Sequence, residues 1–245
     1  MPVPIPALSG QAKRTQVRRI FASIAPRYDL VNRLMSFGQD RAWRRLAVAS
    51  LGCDPGSLVL DLGTGTGEMI LELRRSRCRA IGVDLSLRML ERGKAKAGSA
   101  GTFVCGDALQ LPFAAGSFDG LVSAFVLRNL EDVGLALTEM RRVLKRGGRL
   151  AILEIIWPDG RLMRPLFAFY FGRVVPLLGA ALTGDPVAYR YLPASVRAFM
   201  RAGELAQAVA EAGFAETHWR PLALGSVLLL TATAREARGM PPLEG

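Results

Sequence analysis

The feature that most constrains this chain is an alternation of strand and helix patterns over residues 57–155. Short apolar runs, bounded by glycine or polar residues, alternate there with segments whose apolar residues recur at helical spacing. The strand patterns read SLVLDL, RAIGVDL, TFVCGD, FDGLVSAF and RGGRLAILEII. Strands that alternate with helices form a parallel sheet covered by helices on both faces, and functional residues of such sheets lie at the carboxyl ends of the strands.

Apolar residues also recur at helical spacing over residues 12–49, and Pro26 and Gly38 divide this region into separate helix patterns. After an interruption, the alternation resumes at 203–233 with a helix pattern and two further strand patterns. The sequence therefore predicts an α/β fold: a Rossmann-like, seven-stranded, mostly parallel sheet with helices on both faces, plus N-terminal helices and a helical lid insertion.

The interruption, residues 157–201, contains a long apolar stretch at 162–182. The length of this stretch approaches that of a transmembrane helix. However, Arg164 and Arg173 lie inside it, and an arginine at the centre of a span costs roughly 2.5–3.5 kcal/mol on insertion scales. We predict lid helices that touch a membrane face, and insertion into the bilayer is the alternative.

The sharpest motif is VLDLGTGTGE at 59–68, a glycine loop between a strand pattern and a helix pattern. Gly63, Gly65 and Gly67 form G-x-G-x-G, and glycines permit positive φ and a close approach of a ligand to the backbone. Dinucleotide sites need a further glycine at the position of Glu68, and the sequence contains no G-x-x-x-x-G-K-[ST] phosphate loop. The spacing is typical of S-adenosylmethionine (SAM) methyltransferases, and a purely structural strand–helix turn is the alternative.

Three acidic residues at successive strand ends strengthen the cofactor prediction. Asp84 ends the second strand pattern, where a carboxylate can accept both ribose hydroxyls of a nucleoside. Asp107 follows the third and can accept the adenine amino group beside the backbone of Ala108. Asp61 precedes the loop, and its negative charge suits the cationic sulfonium and amino groups of SAM. Each aspartate alone could instead cap a helix or a turn.

Composition narrows the class of protein and its compartment. Lys and Arg exceed Asp and Glu by 11, and the excess lies in residues 1–45 (nine basic, two acidic) and 160–201 (six basic, one acidic). This segregation predicts a face that meets anionic lipid or nucleic acid, with solvated helix faces as the alternative. Three cysteines without a CxxC pair, and one histidine, argue against a disulfide framework and a Cys/His zinc site. We therefore expect no metal and a cytoplasmic compartment.

Beyond these features, the chain resembles the UbiE/MenG family of C-methyltransferases in ubiquinone and menaquinone biosynthesis. The resemblance covers roughly residues 17–227, and its most specific parts are PRYDLVNRLMSFG near the N-terminus and FVLRN after the fourth strand pattern. It extends to the glycine loop and to AYRYLPASVRAF at 188–199. The resemblance implies a SAM cofactor, held by Thr66, Asp84, Asp107 and Ala108, and an isoprenoid quinol as substrate.

The motifs and the resemblance together divide the chain into five parts. We predict an N-terminal helical lid (1–50), a SAM-binding core (51–156), a helical lid insertion (157–201), a C-terminal helix with the closing strands (202–235) and a tail (236–245). The apolar lid insertion suits a polyprenyl tail, and its basic residues suit anionic head groups. The prediction is therefore a cytoplasmic enzyme attached peripherally to a membrane, and an oligomer is compatible with it.

Catalytic candidates follow from the fold and the reaction. Methylation of a ring carbon requires an electron-rich quinol held close to the SAM methyl group, and a base or a bound water must take the ring proton. Arg128 and Asn129 follow the fourth strand pattern, and Tyr28 lies on the N-terminal lid. We predict that these three catalytic residues orient the quinol oxygens or a water, with Asp29 as the second choice for the base.

Several alternatives remain open at this stage. Arg128 could pair instead with a nearby carboxylate, Glu131 or Asp132. Demethylmenaquinol is the first choice of substrate, and a demethoxy-type benzoquinol is not separated from it by the sequence. The same scaffold could also methylate another lipid or small molecule, for example a phospholipid amine. The net charge raises an RNA-modifying or RNA-binding protein as a further alternative, although we expect no nucleic-acid partner.

Overall fold

A computed structural model describes residues 10–161, 163–183 and 186–235 of the chain. At its centre is a seven-stranded sheet with the strand order β3-β2-β1-β4-β5-β7-β6. The strands are β1 (Leu58–Leu62), β2 (Arg79–Asp84), β3 (Thr102–Cys105), β4 (Phe118–Ala124), β5 (Leu144–Ile155), β6 (Phe214–Leu222) and β7 (Val227–Ala234). The predicted tail, 236–245, lies outside the described residues.

The strand directions confirm the predicted fold class. β1 to β5 pair in parallel, with Leu60 of β1 opposite Ile81 of β2 and Leu121 of β4. β7 runs antiparallel between β5 and β6, with its Leu230 opposite Ile152. Because the parallel strands end on the same edge of the sheet, the residues that follow β1, β2, β3 and β4 are brought together there.

Helices cover both faces of the sheet and extend beyond it. Before β1 come α1 (Gly10–Ile24), α2 (Tyr28–Met35) and α3 (Asp40–Leu51). Within the alternating region lie α4 (Glu68–Arg75), α5 (Leu87–Ala97) and α6 (Val133–Val143). After β5 come α7 (Met163–Phe169), a π-helical segment (Tyr170–Val174), α8 (Val175–Thr183), α9 (Pro186–Ala198) and α10 (Ala202–Glu211).

The hydrophobic core lies in two layers because side chains of a strand point alternately to opposite faces of the sheet. Leu60 and Leu62 of β1 pack in a layer with residues of α6 and α10. Val59, which precedes Leu60, packs in the opposite layer with residues of α3 and α4. Helix α3, which falls inside the predicted N-terminal lid, therefore packs directly on the sheet.

Two smaller clusters hold the remaining helices above the carboxyl edge of the sheet. One joins α1 and α2 to α9 through Ile24, Val31 and Tyr191, among others. The other joins α7 and α8 to α9 through Phe171, Val175 and Val196. The two predicted lid segments thus pack on each other.

The stretch from Met163 to Leu182 is helical throughout. Length and composition alone make it a candidate membrane span, and 22% of its most apolar window is buried against the rest of the protein. Phe167 and Phe171 are buried on one side of it, while the charged Arg164 and Arg173 are exposed. The stretch therefore packs on its protein neighbours through one side and leaves most of its surface exposed.

Candidate active site

The glycine loop lies between β1 and α4, and its conformation requires glycine. Gly63 and Gly67 have φ of +68° and +77°, values that side-chain-bearing residues rarely adopt. A Cβ on Gly63 would lie 2.3 Å from a methyl carbon of Val126, and one on Gly67 would lie 2.9 Å from the ring of Phe103. Gly63 and Gly67 therefore pack too closely against their neighbours to be replaced by any larger residue.

A cavity of about 120 Å³ lies beside this loop at the carboxyl edge of the sheet. Five of the eight predicted cofactor residues line it, namely Gly63, Gly65, Asp84, Asp107 and Ala108. Apolar residues complete its floor and walls, among them Leu62, Val83, Leu85, Met89 and Leu109. The predicted residues are thus largely brought together, and the cavity combines carboxylates with an apolar lining.

Asp84 is held rigidly at the end of β2. Its Oδ2 accepts a hydrogen bond from the backbone N–H of Gly65 (2.9 Å), and its Oδ1 accepts one from the N–H of Ser86 (2.8 Å). Burial raises the pKa of this carboxyl group, although both hydrogen bonds favour the charged form. The bond to Gly65 also fixes the cofactor loop against the neighbouring strand.

Asp107 connects the cavity to the first helix. Its Oδ1 accepts a hydrogen bond from the backbone N–H of Leu109 (3.1 Å), and its Oδ2 pairs with Arg14 of α1 at 2.5 Å. Other residues of α1 line the same cavity, including Val17 and Phe21. Helix α1 therefore covers the end of the cavity where adenine is expected.

Asp61 lies in β1 and is 1% exposed, outside the lining of the cavity. Burial raises the pKa of Asp61 to about 7, while the neighbouring Thr64 side chain and the charge of Arg44 act in the opposite direction. This position suggests that Asp61 supports the glycine loop from below, and it differs from the direct cofactor contact that the sequence suggested.

Thr66 and Gly67 also lie outside the cavity lining. The Thr66 hydroxyl donates a hydrogen bond to Asp29 of α2 (2.5 Å), and the same carboxylate pairs with Lys96 of α5. Lys96 also pairs with Glu68 at 2.9 Å. Asp29 therefore ties the N-terminal helices to the cofactor loop, and it lines neither cavity, so its second-choice role as a base lacks a position from which to act.

A second, larger cavity of about 470 Å³ adjoins the first. Tyr28 and Phe125 line both cavities, so the two spaces meet at these residues. The wall of the second cavity is mostly apolar, with Met35, Trp43, Ile155, Leu166, Phe167, Tyr170, Phe171 and Leu192 among its residues. Its polar residues include Tyr28, Asp40, Arg44 and Arg128.

Phe125 has an unusual backbone conformation at the junction. It follows β4 with φ of +65°, a strained value for a bulky residue. Its N–H donates to Leu153 O (2.8 Å), its carbonyl accepts from the Asn129 amide (3.1 Å), and its ring meets Trp43 edge-to-face at 6.4 Å. These contacts hold the strained residue between the two cavities.

Arg128 lies on a 3₁₀ turn, Leu127–Asn129, and is 8% exposed. Its guanidinium pairs with Glu154 of β5, which is completely buried, and Glu154 also accepts the N–H of Ile155 (2.9 Å). The suggested pairing with Glu131 or Asp132 is therefore wrong; Asp132 instead caps α6 by accepting the N–H of Leu135 (2.8 Å).

Asn129, on the same turn, lines the cofactor cavity. Its side-chain oxygen accepts a hydrogen bond from the hydroxyl of Tyr191 on α9 at 3.0 Å. Burial raises the pKa of Tyr191 to about 12, so this hydroxyl remains protonated and a donor. Tyr28, the third predicted catalytic residue, is half-buried on α2, and its ring lies 5.9 Å from that of Phe21.

Comparison with known proteins identifies the enzyme class. The profile of the ubiE/COQ5 methyltransferase family matches residues 9–234, nearly the whole chain. The chain belongs to the ubiE/COQ5 methyltransferase family. It is therefore a SAM-dependent methyltransferase, and the predicted family, activity and cofactor are confirmed.

Relatives in this family are similar over most of their length. The chain is 42% identical to a demethylmenaquinone methyltransferase of Roseiflexus castenholzii, covering 91% of this chain and 95% of the relative. It is 41% identical to a ubiquinone/menaquinone biosynthesis C-methyltransferase UbiE of Desulfotalea psychrophila, covering 88% and 89%. A SAM-dependent methyltransferase of Thermotoga maritima shares the fold, with a TM-score of 0.65 at 22% identity over 89% of this chain and 100% of that one.

The first cavity of this ubiE/COQ5 methyltransferase fits SAM by the chemistry of its lining. The Asp84 carboxylate lies at the end of β2, the position of the ribose-binding acid in dinucleotide folds, and Asp107 and Ala108 lie after β3 at the same edge of the sheet. At Gly65 the nearest atom to an added Cβ would be 4.0 Å away, so the cavity is open beside the backbone of this glycine. In the ranges 10–161, 163–183 and 186–235, no group of three or more His, Cys, Asp or Glu could hold a metal ion.

Sequence reasoning missed three residues that shape the site of this ubiE/COQ5 methyltransferase. Glu154 is a single acid inside the apolar strand LAILEII, a signal that a buried partner exists. Arg14 and Arg44 lie in a segment rich in exposed arginines, and nothing in the pattern separates them from their solvated neighbours. Only the packing of α1 and α3 shows that these two side chains reach the cavities.

Proposed function

We propose that this chain transfers the methyl group of SAM to a ring carbon of demethylmenaquinol, with a demethoxy-type benzoquinol as the related alternative. One observation carries the proposal. An apolar cavity large enough for an aromatic head group meets the cofactor cavity at Tyr28 and Phe125, and a buried arginine, Arg128, lines it. The names of the relatives at 42% and 41% identity support the same substrate class.

The cofactor half of the mechanism rests on the first cavity. SAM, when bound, supplies an electrophilic methyl group on its sulfonium. In this proposal, Asp84 accepts hydrogen bonds from the ribose hydroxyls, and Asp107 accepts one from the adenine amino group. Thr66 and Gly67 act on the cofactor through the shape of the loop, and Asp61 through the support of that loop.

The substrate half rests on the residues around Phe125. Arg128 has a guanidinium Nε that is buried without a hydrogen-bond partner in the described part of the chain. We infer that this N–H donates to a quinol oxygen, where it stabilises the negative charge that develops as the ring becomes nucleophilic. Glu154 holds the guanidinium in place and balances its charge, so the cavity accepts a neutral quinol.

The proposed reaction needs only SAM, the quinol and a water molecule. The electron-rich ring carbon forms a bond to the methyl carbon, the bond from that carbon to sulfur breaks, and the ring carbon loses its proton to a water molecule. Tyr28 lines both cavities and Asn129 lines the cofactor cavity, and each has hydrogen-bonding capacity left to hold that water or the nearer quinol oxygen. Most of the acceleration comes from holding the two reactants close and aligned.

We further propose that the enzyme rests on the cytoplasmic face of a membrane without crossing it. Six large apolar side chains are exposed, namely Leu34, Phe37, Leu166, Phe169, Leu177 and Leu224. Three of them, Phe37, Leu166 and Leu224, line the second cavity. Phe37 and Leu224 are the most exposed, at 77% and 76%. Exposed arginines such as Arg164 and Arg173 lie on the same helices and would add about 1 kcal/mol each near an anionic surface.

A panel of methyl acceptors tests the proposed function. The purified enzyme receives labelled SAM with short-tailed demethylmenaquinol, a demethoxy-type benzoquinol, phospholipid vesicles or total RNA, with the quinols kept reduced. We expect label in the demethylmenaquinol, and loss of that transfer in Arg128→Met. Label in the phospholipid or the RNA, with none in either quinol, would overturn the proposed function and leave the methyltransferase class intact.

A further inference from the structure

The second cavity contains a buried polar pair that the mechanism above does not use. Asp40 and Arg44 lie one turn apart on α3, and their residues are 7% and 8% exposed. Arg44 Nε lies 4.0 Å from Asp40 Oδ2, and both side chains line the cavity. A buried pair costs desolvation free energy, so its presence in an apolar cavity requires an explanation.

Both members of the pair have hydrogen-bonding capacity that the described residues leave unused. Arg44 Nε is buried and has no hydrogen-bond partner among residues 10–161, 163–183 and 186–235. Asp40 accepts one hydrogen bond, from the hydroxyl of Ser36 at 3.1 Å, and a carboxylate can accept about four. A buried N–H donor and a buried acceptor therefore lie side by side in the cavity wall.

The pair also lies at the reacting end of the cavity. The guanidinium carbon of Arg44 is 5.4 Å from the centre of the Phe125 ring, and Phe125 is the residue at which the two cavities meet. Arg128 lines the same cavity and lies on the turn that follows Phe125. The ring-binding end of the cavity thus has two separate guanidinium groups.

We propose that Asp40 and Arg44 bind the second oxygen of the quinol and select its reduced form. This inference rests on the proposed function, in which Arg128 takes the first oxygen. A quinol has two hydroxyl groups on opposite sides of its ring, so a site that binds both hydroxyls needs polar side chains at two positions. Arg44 donates its Nε–H to the second oxygen, and Asp40 accepts the hydrogen of that hydroxyl.

The Asp40 carboxylate selects the reduced form because it can only accept hydrogen bonds. The oxidised quinone presents a carbonyl oxygen, which has no hydrogen to donate to Asp40. The carboxylate then faces another acceptor in a desolvated site, and an unmatched buried polar group costs about 1–3 kcal/mol, which is about 5–150-fold in affinity. Only the reduced ring is nucleophilic enough to accept the methyl group, so this selection keeps the unreactive form out of the site.

The first test removes one hydroxyl from the substrate and one side chain from the enzyme. The value of kcat/KM is measured for wild type and for Arg44→Met, with short-tailed demethylmenaquinol and with each of its two monohydroxy analogues. We expect Arg44→Met to lower kcat/KM about 10–100-fold for the quinol and to have little effect for the one analogue that lacks the second hydroxyl. Equal losses for all three substrates would overturn the inference.

Arg41→Met is the matched control, because Arg41 lies on the same helix and is exposed. It should leave all three values of kcat/KM unchanged. Absence of methyl transfer from wild type to any quinol would contradict the proposed function itself, and that outcome is distinct from equal losses in the variant.

A second test does not require catalysis and uses a nearly isosteric change. Binding of the oxidised short-tailed demethylmenaquinone to the SAM-free enzyme is measured by calorimetry for wild type and Asp40→Asn. An asparagine can donate an N–H to the quinone carbonyl, so we expect Asp40→Asn to bind the oxidised form about 5–50-fold more tightly than wild type. Unchanged or weaker binding of the quinone by Asp40→Asn would overturn the inference, since a purely structural aspartate gives no gain.

Discussion

Arg128, on the turn after β4, and Glu154, near the carboxyl end of β5, form a buried ion pair. Glu154 also accepts the backbone N–H of Ile155. The pair holds the guanidinium at the wall of the second cavity, and its Nε–H has no hydrogen-bond partner among the described residues. In the proposed function, stability and activity therefore depend on the same two side chains, and mutation can separate the two roles.

Glu154→Gln should destabilise the protein by about 3–5 kcal/mol, because it leaves the Arg128 charge buried without its partner. The free energy of unfolding is measured by urea denaturation. Lys145→Met serves as the control, since it breaks the partly exposed pair with Asp119 and should cost about 0–1 kcal/mol.

The double variant Arg128→Met/Glu154→Leu separates the two roles. Replacement of both charges by apolar groups of similar size should restore most of the stability that Glu154→Gln loses. Methyl transfer should nevertheless remain abolished, because the guanidinium that is proposed to donate to the first quinol oxygen is gone. A double variant that is both stable and active would show that the pair has only a structural role.

The pKa of Asp61 predicts a pH-dependent stability. Its value of about 7 in the folded protein lies above its ordinary value of 3.8, so the fold favours the protonated form. This contribution to stability is complete below about pH 4 and is lost as the pH rises through about 7. Asp61→Asn should therefore reduce the fall in Tm between pH 5 and pH 8.

The matched control for that experiment is Asp159→Asn, at an exposed position. Its Tm should change with pH as that of wild type does. If Asp61→Asn also follows the wild-type pH dependence, the buried carboxyl group does not titrate in this range and the assignment is wrong.

The contact between Asp29 and Thr66 predicts coupling between the N-terminal helices and the cofactor. Asp29 joins α2 to the glycine loop directly and to α5 through Lys96. Lys96→Ala should weaken SAM binding by about 5–50-fold, because the bridge from Asp29 through Lys96 to Glu68 is lost and only the direct contact with Thr66 still joins α2 to the loop. Calorimetry measures the Kd, and Lys94→Ala, at an exposed position on the same helix, should bind SAM as wild type does.

The exposed apolar side chains predict reversible membrane binding. Phe169→Ser/Leu177→Ser should reduce co-sedimentation with vesicles that contain an anionic phospholipid, because two large apolar contacts are removed. Leu135→Ser is the control: Leu135 is 45% exposed but lies on α6. Equal binding by wild type and the Phe169/Leu177 variant would show that this surface does not meet the membrane.

Much of the fold was predictable because its signals are local. The alternation of strands and helices, the glycine loop and the acids at strand ends are each readable within about ten residues, and parallel topology then brings Gly63, Asp84 and Asp107 to one edge. The seven-stranded sheet and the SAM cofactor were predicted on that basis.

The rest of the site depends on contacts between distant segments. Arg14 meets Asp107 and Asp29 meets Thr66 only because α1 and α2 fold over the sheet, and no periodicity specifies those partners. Arg128 lies closer in sequence to Glu131 and Asp132 than to Glu154, so sequence distance suggested the wrong ion pair. Burial of a charge next to a strand end is a property of packing, and only the structure shows it.

Carbon methylation of the quinol is tested most directly with an isotope at the reacting position. Demethylmenaquinol deuterated at its open ring carbon is incubated with the enzyme and SAM that carries a trideuterated methyl group, and the product is analysed by mass spectrometry. We predict a product that gains the labelled methyl group and loses the ring deuterium. A labelled product that keeps the ring deuterium, and therefore carries the methyl group on oxygen, would contradict the account, as would a quinol that remains unmethylated.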